Sequence, residues 1–175
     1  MVFWRAKIKY TINNNPQFLR VVFLTLTLVL LLSFPALAVT VDDIVKDNST
    51  PEAVCDWISG EIEYKTNVET WGMSNYWQTP EETLRVQSAD CKGYAVLVYE
   101  CLKKMNLEDV KMVALTNNHS GHVVVIFKQN GRWQVVSNGK LYDYTVENYK
   151  DLFKLFIGYS NYQFCTPNSH NILIA

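Results

Sequence analysis

The chain has 175 residues, 49% hydrophobic and 13% aromatic, which is enough apolar material for a real core. It carries 16 basic and 17 acidic residues, and four of the basic ones (Arg5, Lys7, Lys9 and Arg20) fall in the first 38 positions, where no acidic residue stands. Residues 39–175 are left with 12 basic against 17 acidic residues, about −5, and that balance argues against nucleic acid or anionic lipid as the main partner.

The positive N-terminal stretch is followed by an apolar run from Val21 to Phe34, interrupted by Thr25, Thr27 and Ser33, and then by Pro35-Ala36-Leu37-Ala38. Charge, short apolar run and small-x-small site are the order of a secretory signal peptide, so residues 1–38 are expected to be removed after Ala38. The run is shorter than the roughly 20 apolar residues that span a bilayer, and membrane association is expected only if the leader stays uncleaved. The remaining stretch, 39–175, suits one domain, secreted or otherwise extracytoplasmic. All four cysteines, Cys55, Cys91, Cys101 and Cys165, lie in it, where disulfides are permitted. Their spacing fits no small disulfide framework, and the pairing of Cys55 and Cys165 stays open.

Thr50-Pro51-Glu52 opens a helix, with Thr50 as N-cap and Pro51 at the first helical position, and Val54, Trp57, Ile58 and Ile62 follow at helical spacing. Lys65 to Gln78 reads as irregular and aromatic. Thr79-Pro80-Glu81-Glu82 is a capping box that starts a short helix of about two turns. Ser88 or Asp90 caps a third helix, whose inward residues Cys91, Tyr94, Ala95, Val98, Leu102 and Met105 recur at three and four, with Asn106 as its stop. Strands follow: Val110 to Thr116, then, after the loop Asn117 to Gly121, His122 to Lys128 with the continuous run Val123 to Phe127 of a central strand. Asn130-Gly131 is a tight hairpin turn into Trp133 to Val136, and Asn138-Gly139 repeats that chemistry before Lys140 to Tyr144. Val146 to Ile157 reads as a helix ended by Gly158. Helices first and an antiparallel sheet after them make an α+β domain.

Cys91 stands where a helix N-terminus is expected, and such a terminus lowers the cost of a thiolate. By itself a cysteine on an apolar face is more often core than nucleophile. The company of Cys91 points the other way. Thr79-Pro80-Glu81-Glu82-Thr83-Leu84, Asp90-Cys91-Lys92-Gly93-Tyr94-Ala95, Gly121-His122-Val123-Val124-Val125 and Trp133 to Asn138, in that order, resemble the transglutaminase-like superfamily, including its bacterial cysteine peptidase branch. The resemblance covers 77–144 and implies a papain/transglutaminase-like fold with the nucleophile helix packed on the sheet.

It further implies Cys91 as nucleophile and His122 as its base, acting on an amide or isopeptide bond through a thioester. His119 is the competing base, in a loop. The third residue departs from the family pattern: an Asp commonly matches Ser137. Asn138 is therefore expected to orient His122, as asparagine does in papain-like peptidases. Ser137, or no residue at all, is the alternative, since Asn-Gly is also a plain turn. The second oxyanion donor is open among Trp77, Gln78 and Gln87, and Trp71, Tyr76 and Trp77 are either cleft walls or core. No cofactor is expected, and no metal, because His119 and His122 lack accompanying ligands and Lys92-Gly93 follows Cys91 where some relatives bind calcium. The expected partner is a protein or peptide substrate, with the cell envelope as one setting. A transglutaminase using an amine acceptor and a non-catalytic binding module on the same fold are the rivals. A redox thiol protein is disfavoured by the lack of a C-x-x-C motif.

Overall fold

The computed structural model describes residues 16, 17, 20, 22–25 and 38–166. Most of the leader expected at 1–38 lies outside the described residues. No helix among the described residues is long and apolar enough to cross a membrane.

The helical half is set by its caps. Thr40 and Asp43 cap one another at the start of helix α1 (Val41–Asp47), and the Thr50 side chain accepts from the Ala53 N–H at the start of α2 (Pro51–Glu61). Strand β1 (Glu63–Tyr64) follows. The stretch expected to be irregular contains a short helix, α3 (Asn67–Trp71), opened by a reciprocal capping box between Thr66 and Glu69 and closed at Gly72. Helix α4 (Pro80–Val86) begins with the expected box at Thr79 and Glu82. Gln87, left-handed at φ 50, turns the chain into β2 (Ser88–Ala89), which pairs parallel with β1. Ser88 thus belongs to a strand. Asp90 is the cap of the long helix α5 (Cys91–Lys104).

The other half is a five-stranded antiparallel sheet. Strand β3 (Glu108–Thr116) carries a register shift between Glu108 and Lys111, beside Asp109 at φ 53. It is followed by β4 (Gly121–Gln129), β5 (Arg132–Ser137), the two-residue β6 (Lys140–Leu141) and β7 (Asn161–Cys165), in the order β6-β5-β4-β3-β7. The helix expected over Val146 to Ile157 is instead a 3-10 helix, Tyr149–Leu155. Val146 cannot begin a helix because its N–H and carbonyl are both bonded to Trp133 across a β-bridge. Asn148 then caps the shorter element through the Lys150 N–H.

Strand alternation divides the sheet's side chains into two cores. Val123, Val125, Phe127 and Val136 pack with α5, through Leu97, Val98 and Leu102. Val124, Ile126, Trp133 and Val135 face the opposite way, onto Val146 and Leu152 of the segment between β6 and β7. Both faces of β4 are covered, which is why its sequence is a continuous apolar run with no alternation. Each such side chain, fully buried, contributes roughly 1.5–3 kcal/mol. The result is the expected α+β arrangement, with α5 lying on an antiparallel sheet.

Candidate active site

Where Cys91 sits is decided by the residues around the first turn of α5. Asp90 Oδ1 accepts the backbone N–H groups of Lys92 (2.9 Å) and Gly93 (3.2 Å), two of the donors a helix start leaves free. Gly93 lets this turn press against its neighbours: a Cβ there would lie 2.7 Å from Gln78 Oε1 and 2.8 Å from the Ala89 Cβ. Gln78 is buried and donates to the Ser88 carbonyl (3.0 Å), tying the approach to α4 to strand β2. Tyr94, one turn further on, donates through its hydroxyl to the Ile62 carbonyl and anchors the helix to the end of α2.

Val125 pairs with Val136, so the register would set Val123 opposite residue 138. Asn138, however, turns away at φ 47, followed by Gly139 at φ 75, and the ladder to β5 stops short of Val123. The Val123 N–H lies close enough to the Cys91 sulfur to favour its thiolate. The turn that ends β5 thereby leaves the Val123 N–H on the side of β4 where α5 packs.

His122, one residue earlier, faces the opposite side of the strand, beside Leu115 in the register. Its ring lies between Phe156 and Tyr159, with ring centroids 6.1 and 6.2 Å away. Its Nε2 is 2.7 Å from Ser137 Oγ. That hydrogen bond corrects the expectation for Asn138. Residues 122 and 137 share a sheet face, whereas Asn138 is exposed in a left-handed turn, so the hydroxyl of Ser137 and not the amide of Asn138 meets the imidazole. With Nε2 bonded to Ser137, Nδ1 is the ring nitrogen that this bond leaves free.

Cys91 and His122 line one cleft of about 380 Å³. Tyr64, Asn67 and Val68 form one wall, and Gly121 and Tyr159 the other. A larger depression, about 690 Å³, lies among Thr40, Asp42, Glu100 and Lys104, and no cysteine or histidine lines it. His119 is exposed in the loop before β4 and does not line the cleft. Trp77, Gln78 and Gln87 do not line it either: the Gln78 amide is committed to Ser88, Gln87 is exposed, and Trp77 packs against the core. Trp71 and Tyr76 pack against each other with ring centroids 5.2 Å apart and planes tilted by 50°. Asn67, which sequence reasoning passed over, lines the cleft and donates to the Tyr76 carbonyl at 2.6 Å. The Thr66 to Glu69 capping box was the signal that could have found it.

The electrostatics differ from the expected stabilised thiolate. Burial, then the neighbouring Asp90 carboxylate, push the Cys91 thiol up from its ordinary value, against the Val123 N–H, Lys92 and its own backbone N–H. Burial pushes the His122 imidazole down, with Asp90 opposing. Both shifts favour neutral thiol beside neutral imidazole over a resting ion pair. The Asp90 carboxylate is in turn paired with Lys92, Oδ2 to Nζ 2.7 Å.

The model of the transglutaminase-like domain family matches residues 34–163, most of the chain, and this protein belongs to that family. Among curated proteins no sequence matches it significantly. Among solved structures it is similar to LapG of Legionella pneumophila, with a TM-score of 0.44 and 18% identity over 58% of this chain and 60% of that one. Similar too are the calcium-bound form of LapG, with a TM-score of 0.42 and 19% identity over 58% and 61% of the two chains, and a TGase, with 0.40 and 12% over 66% and 37%. The matched part spans about three fifths of LapG's length.

Proposed function

We propose that this protein is an exported thiol hydrolase, a peptidase or amidase that cleaves an amide or isopeptide bond through a thioester. The observation that carries the reading is the shared cleft of Cys91 and His122, with His122 fixed by Ser137 and the Cys91 sulfur held at the start of α5. Starting from two neutral groups, His122 Nδ1 takes the S–H proton as the sulfur bonds to the carbonyl carbon. The Cys91 N–H, at the helix start, donates to the oxyanion. The C–N bond then breaks, the amine leaves with the proton from His122, and a water deprotonated by the same imidazole resolves the thioester. Nε2–H donates to Ser137 throughout, which fixes the tautomer without adding a negative charge to stabilise imidazolium. Protein or peptide is the substrate class, with the cell envelope as the setting.

The deciding experiment treats the protein with a peptidyl vinyl sulfone and follows turnover of a fluorogenic peptide library. A mass increase on Cys91 and loss of turnover by at least about 10³-fold in Cys91→Ala are expected. Capture at another cysteine, or turnover unchanged in a folded Cys91→Ala, sinks the assignment. Export is checked separately, by mass spectrometry of protein recovered outside the cytoplasm. Val39 is expected as the first residue, and an intact Met1 terminus held in the membrane speaks for an anchor.

A second reading, a binding module on the same fold, is favoured by the 6% exposure of Cys91 and the uncharged residue behind His122. It predicts peptide binding that survives Cys91→Ala and no covalent capture.

A further inference from the structure

We infer that Lys92 is a positioning residue that acts through Asp90. Its ammonium completes the charge of the carboxylate capping the nucleophile helix, so the cap holds Cys91 in place without leaving a net negative charge beside the sulfur. The inference rests on the reading of Cys91 as nucleophile and deepens it.

Aspartate is an ordinary helix cap, but an exposed one is screened by water. Asp90 is not: it is 6% exposed and Lys92 2%, so the pair is sealed next to Cys91. One carboxylate therefore does two jobs, with Oδ1 on the Lys92 and Gly93 N–H groups and Oδ2 on Lys92 Nζ at 2.7 Å. Lysine is poorly suited to this place on general grounds. A cation in the first helical turn opposes the macrodipole, and a buried ammonium loses its hydration. Pairing with the capping carboxylate, Oδ2 to Nζ at 2.7 Å, offsets both costs.

The other titratable groups facing the sulfur supply no fixed positive charge. They are His122 from β4, Tyr64 from β1 and Tyr159 from the segment after the 3-10 helix. Among the described residues that line the cleft, Lys92 is the one lysine or arginine. Burial is the largest influence raising the Cys91 thiol, Asp90 raises it further, and Lys92 draws it back, the sign the pairing requires.

The test follows iodoacetamide labelling of Cys91 in the full chain by mass spectrometry across pH, which needs no substrate. Lys92→Met leaves Asp90 uncompensated and is expected to move the labelling inflection up by about one pH unit or more, tenfold slower at a fixed lower pH. Asp90→Asn keeps a capping side chain, leaves the ammonium uncompensated, and is expected to move the inflection down. The double variant should return it close to the unmodified protein. An unshifted inflection in folded Lys92→Met, or shifts of the same sign in both single variants, overturns the inference. Should Lys92→Met not fold, Asp90→Asn decides alone: a lower inflection supports the pairing, and an unchanged or higher one overturns it. Opposite shifts together with no amide turnover would leave the role of Lys92 standing and fail the hydrolase reading.

Discussion

Helix α5 carries two cysteines ten residues apart, and the protein treats them differently. Cys101 is fully buried in the apolar core, its thiol pushed up to about 12 by burial and then by Glu100. Cys91 is also buried and also raised, yet it opens the helix, has the Val123 N–H nearby to favour its thiolate and lines a cleft shared with His122. Burial alone therefore does not separate a core thiol from a candidate nucleophile. The difference lies in what surrounds the first turn: a capped helix end, a nearby strand amide and an imidazole on the next-but-one element. The shifts of Cys91 and His122 both favour the neutral forms, so under the proposed reading proton removal by His122 accompanies attack.

The largest test of this contrast is chemical. Iodoacetamide should label Cys91 in the folded protein at least about 100-fold faster than Cys101, because only Cys91 has both access and a neighbouring base. Peptide mapping after short exposures measures the two rates. Equal rates would mean that the two ends of the helix are alike and that Cys91 is a core residue.

A smaller effect is expected behind the base. Ser137→Ala removes the hydrogen bond to Nε2 and frees the imidazole to rotate, so turnover should fall roughly tenfold to a hundredfold, less than the loss of a charged partner would cost. Labelling of Cys91 should be partly retained, since the helix end is untouched. Asn138→Gly should keep turnover, because glycine accepts φ 47 and no hydrogen bond to His122 is lost. A large loss in Asn138→Gly with none in Ser137→Ala would reverse the assignment.

The elements with local chemistry were legible in the sequence. The caps at Thr50 and Asp90, the capping box at Thr79 and the Asn-Gly turns act within a few residues, and each appears where its residues demand. The Thr66 box was equally local and was masked by the aromatic crowd that follows it. Other features depend on partners distant in sequence. Val146 cannot join a helix because Trp133 claims its backbone, and β7 exists because β3 offers an edge, with Cys165 opposite Met112. The site shows the same division. That Cys91 and His122 line one cleft agrees with their spacing and the resemblance, which named them as the candidates. The choice between Ser137 and Asn138 depended on which of two adjacent residues remains in the strand and which enters the turn, and side-chain alternation turns that single step into opposite directions.

The smallest effect concerns pH and isolates the imidazole from both thiols. Burial holds His122 below its ordinary value of 6.5 in the folded chain, while the unfolded chain binds a proton near that value. Above it neither state is protonated and the full stability is present. As pH falls through 6.5 the unfolded state binds more protons, so stability declines until the folded-state value is passed. The carboxylates held low by their caps, Asp43 and Glu69, titrate below their ordinary values of 3.8 and 4.5 and do not enter this window. Urea unfolding between pH 8 and 5.5 should therefore show a midpoint that drops on the acid side, and His122→Gln should flatten the drop. The thiols cannot imitate it, since Cys91 and Cys101 are both neutral throughout this range when folded and when unfolded. A midpoint that rises toward acid would mean that His122 carries its charge in the folded protein. In that case a resting thiolate and imidazolium pair, and not proton removal during attack, would distinguish Cys91 from Cys101.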